Sequence, residues 1–538
     1  MHYLLHHLIE TRASQAPEQP ALSHKQEQLC YGELSTRVQQ VAGGLRELGL
    51  QRHERVAIYL PKQLETVVSL FAVTLAGGVF VPVNPVLKPL QVQHILNDCN
   101  VRILITCHAR LQQLAPSLAS LRDLKQVVLV DDDLPSGPVP CSVVAWHQLQ
   151  DAPACTAPTG SVTDGDMAAI LYTSGSTGKP KGVVLSHRNL MVGAQSVSGY
   201  LGNRRDDRIL AVLPLSFDAG LSQITTAFEA GACCYLMDYL LPNDVRRQVA
   251  RHRITGITAV PPLWNQIASL NWNEETASSV RYFANTGGHM PRSLLARLRT
   301  LFPCAQPFLM YGLTEAFRST YLPPDQIDLK PGSIGKAIPN AEVLVLREDG
   351  TPCQPHEPGE LVHRGPLVSQ GYWNDPEKTR ERFKPFPGHA EGLVFKELAV
   401  WSGDTVTRDE EGYLYFVGRR DDMIKTSGYR VSPNEVEEVA YQSGLIRDAV
   451  AIGSPHATLG QAILLIVTVP ATTDSTASTL GALLQRCREQ LPNFMVPLKC
   501  ILEAELPRNP NGKIDRRLLA ERYADFFDDH SEPPHAEG

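Results

Sequence analysis

Apolar positions along the chain fall into helical and strand rhythms that alternate. The opening MHYLLHHLIETRASQAPEQPAL reads as an amphipathic first helix. It has neither the basic start nor the long apolar core of a signal peptide. The most apolar stretch, VVSLFAVTLAGGVFVPVNPVL, is broken by Gly77, Gly78, Pro82 and Asn84, and so predicts a buried helix running into a strand, not a membrane span. Further on, Asn243 can cap a helix reaching Arg253. ITGITAV follows as a strand ending at Pro261–Pro262, and RYFAN as another ending at Gly287–Gly288. Pro291 then opens a helix with Leu294, Leu295, Leu298, Leu301 and Phe302 on one face, and the strand PFLMY runs into GLTE. This alternation predicts α/β architecture with mostly parallel sheets. Ligands of such sheets sit where strands end, which directs attention to NTGG and YGLTE.

With 538 residues, the chain is too long for one core, and two to four domains are expected. DDDLPSGPVP and DAPACTAPTGSVTDGD form a Pro/Gly/Asp-rich stretch separating residues before about 130 from a segment opening at Met167. PATTDSTAS, residues 470–478, reads as a surface loop, and the tail FFDDHSEPPHAEG as disordered. Apolar and charged contents of 43% and 20% are those of a soluble globular protein. A net charge of −7 is small for this length and gives no support for nucleic acid or an anionic membrane as partner. The eleven cysteines show no CxxC spacing, which points to a reducing, cytoplasmic setting. The seventeen histidines show no ligand spacing. His6 and His7 are neighbours on the first helix, and no structural metal site is expected from them.

LYTSGSTGKPKG, residues 171–182, gathers hydroxyls, glycines and two lysines, the groups that make an anion nest. It is not a Walker loop. Thr173 stands where the first glycine is required and Pro180 where the magnesium-reaching Ser or Thr is required. A strand, VVL, follows at once where a Walker loop would open a helix, and Ser186 then caps the next helix. Ser174 likewise replaces the first glycine of a nucleophile elbow. The loop by itself establishes phosphate binding and no more.

Together with YGLTE, WSGDTVTRDEEGYLYFVGRRDDMIKTSGYRVSPNEVE and LPRNPNGKIDRRLL, the loop closely resembles the AMP-forming adenylate superfamily of acyl-CoA synthetases, luciferases and peptide-synthetase adenylation domains. These motifs occur in the family's order over residues about 170 to 516. The whole chain looks most like the acyl-CoA ligases associated with exosortase A systems in bacteria. The resemblance implies a large multi-subdomain N-terminal domain, residues 1–420, a small mobile α+β domain, 421–525, and a tail, 526–538. It also implies two half-reactions: a carboxylate and ATP·Mg²⁺ give an acyl-adenylate, and a thiol of CoA or of a carrier protein's phosphopantetheine then displaces AMP.

Residue by residue, the resemblance makes Thr173, Ser174, Gly175, Ser176, Thr177, Gly178 and Lys179 the loop over the β- and γ-phosphates. Tyr311 resembles the residue that stacks on adenine, Thr314 binds the α-phosphate and Glu315 holds Mg²⁺, which favours hard oxygen ligands. Leu309 replaces an asparagine common in peptide-synthetase domains, which assigns adenine recognition to backbone groups near Gly287 and Gly288. Asp404 resembles the ribose-binding acid and Arg419 a ribose and phosphate contact. Asp421 matches the hinge and Gly428 the glycine of the thiol tunnel, with Arg430 beside it. Lys513, after the tight-turn pair Asn511–Gly512, resembles the lysine that bridges the substrate carboxylate and the α-phosphate.

The acyl pocket is expected around Phe217, Asp218, Trp264 and Gly288, with Trp264 equally readable as core. SFDAG resembles the SFDxS of amino-acid-activating domains, in which the Asp pairs with an α-ammonium, although Gly220 replaces the serine. Asp218 reads equally as a helix cap. The substrate is thus a small carboxylic or amino acid, with an acyl carrier protein as a candidate partner, and neither nucleic acid nor a membrane span is expected. The competing readings are an amino-acid adenylating enzyme that loads a carrier protein, an ADP-forming kinase or NTPase, and a non-catalytic acyl-binding relative.

Overall fold

The computed structural model describes residues 3–131, 139–157, 162–173, 180–239, 241–388, 392–419, 422–426, 429–456, 458–470, 476–510 and 512–529. Its strands form three sheets. The first has the order Ser142–Ala145, Gln126–Leu129, Val101–Thr106, Arg55–Tyr59, Val79–Pro82, Met167–Thr173, Lys181–Ser186. All neighbours are parallel except the last pair, an antiparallel hairpin in which Thr173 faces Lys181. The phosphate loop therefore joins two strands, as its sequence predicts. The apolar run at 67–87 forms the helix Leu64–Leu75, buried on every side except at Glu65, and then the strand Val79–Pro82. An all-round apolar helix is stable only in such a place.

The Pro/Gly/Asp-rich stretch does not divide the chain. Ser142–Ala145 lies beyond its first half yet pairs with Gln126–Leu129, and Met167–Thr173 joins the same sheet beside Val79–Pro82. Backbone pairing across the stretch overrides its linker-like composition.

A second sheet is parallel from Gln306–Tyr311 through Tyr282–Asn285, Gly256–Ala259, Arg208–Ala211 and Cys233–Leu236 to Pro20–His24. Past Gln306–Tyr311 it turns antiparallel through Thr320–Leu322, Ser333–Ala337, Leu414–Arg419, Leu398–Arg408, Gly359–Arg364 and Glu342–Leu346. The expectation of mostly parallel sheets holds for one half of this sheet and fails for the other. The helix Pro242–His252 starts one residue before the expected Asn243 cap: Pro242 takes the first helical position, and the Asp244 carboxylate accepts from the Leu241 N–H at 3.1 Å. Ser186 caps the helix His187–Tyr200 as expected, accepting from the Asn189 N–H at 3.2 Å.

A third, five-stranded sheet uses only residues after 423: Tyr429–Val431, Ile424–Thr426, Gly460–Thr468 and Asp448–His456, with Lys499–Leu502 beside Gly460–Thr468. Residues 471–475 of the expected 470–478 loop lie outside the described residues, and the helix Thr476–Gln490 occupies the rest. Residues 530–538 of the expected disordered tail lie outside the described residues, and its start forms a helical turn, Phe526–Asp529. Phe526 and Phe527 pack against the cluster of Val450, Ile452, Leu464, Ile466, Leu506 and Leu519, and that apolar contact orders them. No helix among the described residues is long and apolar enough to cross a membrane.

Candidate active site

Three stretches of the second sheet's parallel half and its edge supply one locus. The strand Tyr282–Asn285 ends in Thr286–Gly287–Gly288. The strand Gln306–Tyr311 ends in Tyr311–Gly312, followed by the short 3-10 turn Thr314–Ala316. The segment before helix Asp218–Ala230 brings Phe217. Backbone polar groups freed at strand ends face a ligand instead of a neighbouring strand.

Tyr311 and Asp404 meet although they are far apart in sequence: the Tyr311 hydroxyl donates to Asp404 Oδ2 at 2.5 Å. Burial, with Asp404 beside it, pushes the phenol well above its usual range, so it stays a donor. Asp404 faces Arg419 across the pair Leu398–Arg408 and Leu414–Arg419, and Arg419 Nε donates to Asp404 Oδ1 at 3.1 Å. Asp404 is itself buried, while the Arg419 side chain is 61% exposed. The Ser402 hydroxyl accepts from the Asp404 N–H at 3.0 Å and fixes the carboxylate's base.

Glu315 is half-buried, and its Oε1 accepts from the Tyr372 hydroxyl at 2.6 Å. Thr314, also half-buried, begins the same turn. Gly287 has a φ of 75°, and a Cβ built there would lie 2.9 Å from Cε and 3.4 Å from Nζ of Lys513. Lys513 thus enters from the third-sheet unit and lies on the Gly287 backbone, with Nζ 5.3 Å from the centre of the Phe217 ring. Its turn is built by Asn509, whose side-chain oxygen accepts from the Lys513 N–H at 3.1 Å, and by Gly512 at a φ of 79°. Asn84 anchors the turn by donating to the Pro510 carbonyl at 3.0 Å. Burial lowers the Lys513 ammonium's pKa, and the Asp218 charge opposes that shift.

Asp218 is the first residue of its helix and makes no cap. Its Oδ2 accepts from Arg318 Nη1 at 3.0 Å, with side-chain exposures of 4% and 2%. The structure removes the helix-cap reading of Asp218 and gives the residue a buried ion pair that the sequence did not announce. The partner could have been sought in FRST: an Arg in an apolar setting and an Asp in SFDAG each need an opposite charge when buried. Phe317, which sets up Arg318, has a φ of 55°, rare for a bulky side chain. Trp264 resolves to core. It is wholly buried, its indole N–H donates to the Ala284 carbonyl at 3.2 Å, and its ring packs edge-on against Phe283. Gly288 sits at the strand end, its carbonyl accepting from the Asn285 amide at 2.9 Å.

Ser174, Gly175, Ser176, Thr177, Gly178 and Lys179 of the phosphate loop, Asp421 and Gly428 lie outside the described residues. For Arg430 only the backbone pairing with Lys425 is described. Thr173 is the last described residue before the loop. Sequence reading passed over Arg318, Tyr372 and Asn84. For Tyr372 and Asn84 no local signal exists, because each acts on a residue more than 50 positions away.

The locus fits a nucleotide. Asn285 Oδ1, Ser216 Oγ and Asp218 Oδ1 are buried and lack a hydrogen-bond partner among the described residues. Such acceptors are costly unless a ligand's donors meet them. Glu315 supplies the hard oxygen that suits Mg²⁺.

Comparisons with known proteins agree with this reading. The family described as AMP-binding enzyme matches residues 9–373, and the one described as AMP-binding enzyme C-terminal domain matches residues 435–513. A long-chain-fatty-acid–CoA ligase of Salmonella typhimurium is 29% identical over 543 residues, covering 95% of this chain and 93% of that one. Gramicidin S synthase 2 of Brevibacillus brevis is 30% identical over 526 residues, which cover 96% of this chain but 11% of that much longer protein. The solved o-succinylbenzoate coenzyme A synthetase of Bacillus subtilis, in complex with ATP and magnesium ion, superposes with a TM-score of 0.79 at 26% identity, covering 95% of this chain and 98% of that one. On the family match over residues 9–373, the chain belongs to the AMP-binding enzymes, with that family's C-terminal domain in the same polypeptide.

Proposed function

We propose that the locus around Lys513, Gly287, Tyr311 and Asp404 activates a carboxylic acid and that the chain hands the acyl group to CoA. The chain is an AMP-forming acid–thiol ligase. A carboxylate oxygen attacks the α-phosphorus of ATP, the bond to pyrophosphate breaks, and an acyl-adenylate forms. The thiol sulfur then attacks the acyl carbon, and AMP leaves. CoA is the first acceptor to test, given the fatty-acid–CoA ligase likeness, and a carrier protein's phosphopantetheine is the second, given the gramicidin synthase likeness.

The observation that carries the reading is Lys513 lying on Gly287. A cation delivered by a separate unit to a strand-end site offsets charge as it builds at phosphorus and on the attacking carboxylate. Asp404 accepts from the ribose hydroxyls, and Tyr311 and Arg419 fix its two oxygens. Tyr311 offers its ring to adenine, and Thr314 donates to the α-phosphate. The hairpin loop from Thr173 to Lys179 orients the pyrophosphate as leaving group. Glu315, held by Tyr372, would bind Mg²⁺, which would supply charge neutralisation at the phosphate oxygens. The unit beginning near the hinge Asp421 turns between half-reactions, so that Lys513 serves the first and the Gly428 and Arg430 segment, lining a thiol tunnel, the second.

For the acid, the Asp218–Arg318 pair matters. Asp218 already has a cationic partner, so the pocket does not require an ammonium to balance it, which favours a simple acid over an amino acid. The amino-acid reading keeps one observation, the partnerless Asp218 Oδ1. Asp218→Asn separates the two while keeping the side chain's size. Pyrophosphate exchange into ATP with fatty or aryl acids should change less than about fivefold, whereas exchange with amino acids, if dominant in the wild type and lost in the variant, establishes the second reading. Products of AMP and pyrophosphate support the reaction class, and ADP overturns it.

A further inference from the structure

The segment that follows the strand Gly359–Arg364 touches two parts of the locus at once. Its residues 370–373 lie beside Lys181–Ser186, the second strand of the phosphate-loop hairpin. The Gln370 N–H donates to the Val184 carbonyl at 2.9 Å, the Val184 N–H to the Gly371 carbonyl at 3.0 Å, and the Trp373 N–H to the Gly182 carbonyl at 2.8 Å. Tyr372 pairs with Val183 in this short antiparallel stretch, and the Lys181 ammonium lies 5.8 Å from the centre of its ring. The same segment holds Glu315 twice. The Ser369 N–H donates to the Glu315 carbonyl at 2.8 Å, and the Tyr372 hydroxyl donates to Glu315 Oε1 at 2.6 Å. Both ends of this arrangement are anchored on the helix Pro89–Asp98. Trp373 Nε1 and Asn374 Nδ2 donate to the Asp98 carbonyl at 2.9 and 2.6 Å, and Tyr172, on the hairpin's first strand, donates to the Asp98 carboxylate at 2.5 Å.

A carboxylate has two oxygens, and a fixed donor on one of them orients the other. Glu315 Oε1 is taken by the phenol, while Oε2 accepts from no described residue. Hydrogen bonds to a ligating carboxylate set its direction and strengthen its hold on an ion. The phenol is itself fixed: the Tyr372 ring packs edge-on against Phe383 at 5.7 Å, and the Tyr372 N–H donates to Thr379 Oγ1 at 3.0 Å. We propose that Tyr372 is a positioning residue that holds the Glu315 carboxylate in register with the phosphate-loop hairpin. The oxygen left for the metal and the loop for the β- and γ-phosphates then meet one triphosphate as a single unit. The proposal rests on the reading of Glu315 as the Mg²⁺ ligand. It adds that the ligand's aim is set from the hairpin, through a hydroxyl 57 positions away in sequence.

The test reads metal binding and needs no acid. Mn²⁺ stands in for Mg²⁺ as a probe visible by electron paramagnetic resonance, and α,β-methylene-ATP, which cannot release pyrophosphate, serves as nucleotide. The full-length protein, in excess over the analogue, is titrated with Mn²⁺. Tyr372→Phe removes the hydroxyl and keeps the ring that packs on Phe383. It should weaken Mn²⁺ binding to the protein-bound analogue by about tenfold or more, the low end of what loss of an outer-shell partner costs. The analogue's affinity measured by calorimetry in chelator, without metal, should be unchanged, which a merely structural role for Tyr372 would not spare. Glu315→Gln should weaken Mn²⁺ binding at least as much. Unchanged Mn²⁺ affinity in Tyr372→Phe, or an equal loss of metal-free affinity, overturns the proposal while a weakened Glu315→Gln leaves the metal-ligand reading standing. Unchanged Mn²⁺ affinity in Glu315→Gln overturns that reading and the proposal with it.

Discussion

Gly287 is where a single hydrogen decides whether the lysine can dock. Its φ of 75° already disfavours any side chain, and a Cβ there would sit 2.9 Å from Lys513 Cε. Gly287→Ala should therefore cost about 1 kcal/mol of backbone strain and displace the ammonium. Adenylate formation should fall at least about tenfold while transfer from supplied acyl-adenylate is spared; wild-type exchange rates in the variant would show that Lys513 does not act at this position. His363 makes a different point at the same scale. It is wholly buried, its Nδ1 lies 2.9 Å from Ser319 Oγ, and burial lowers its pKa from 6.5 to about 4. Between those values the unfolded chain binds a proton that the folded chain refuses, so stability is lost as pH falls from 6.5 toward 4. Comparing urea unfolding at pH 7 and pH 5, the wild type should lose roughly 2 kcal/mol more than His363→Asn. Equal losses would mean that the imidazole reaches solvent. Asp218 and Arg318 show what residue-level reading can and cannot extract. SFDAG marks a carboxylate in an apolar setting and thus a partner to be found, but the partner lies 100 positions away and only the fold joins them.

Among elements, the helix His187–Tyr200 supports the turn that carries Arg318. The Phe317 ring presses on Gly193, where an added Cβ would fall 2.4 Å from Phe317 Cδ1. Phe317 itself holds a strained backbone, with φ 55° and ψ −51°, of the kind that persists only when its surroundings enforce it. Gly193→Ala should move Phe317 and destabilise the fold by about 1–3 kcal/mol in denaturant unfolding. Unchanged stability would show that the contact gives way freely. The parallel strands, their helices and the strand ends carrying NTGG and YGLTE were readable from periodicity and from Gly and Pro punctuation. The antiparallel half of the second sheet was not, because its order is set by pairings such as Ser333–Ala337 with Leu414–Arg419, more than 70 residues apart. Composition misled at the Pro/Gly/Asp-rich stretch, where backbone pairing binds the two sides into one sheet. It misled again at residues 526–529, the start of the tail, where Phe526 and Phe527 join an apolar cluster.

Across the whole molecule, the third-sheet unit meets the larger body at a few polar points besides Lys513. Asn84 holds the Pro510 carbonyl, Asn265 donates to the Arg447 carbonyl at 2.5 Å, and His289 pairs with Glu438 at 2.8 Å. The family's two parts lie in one chain, and Lys513 of the second lies on Gly287 of the first. The most direct measurement compares the half-reactions in Lys513→Ala: pyrophosphate exchange into ATP, and thioester formation from supplied acyl-adenylate. Loss of a preorganised cation should slow exchange by about 100- to 1000-fold and leave transfer within a few fold of wild type. Equal slowing of both steps, or unimpaired exchange, would contradict the assignment of Lys513 to adenylation.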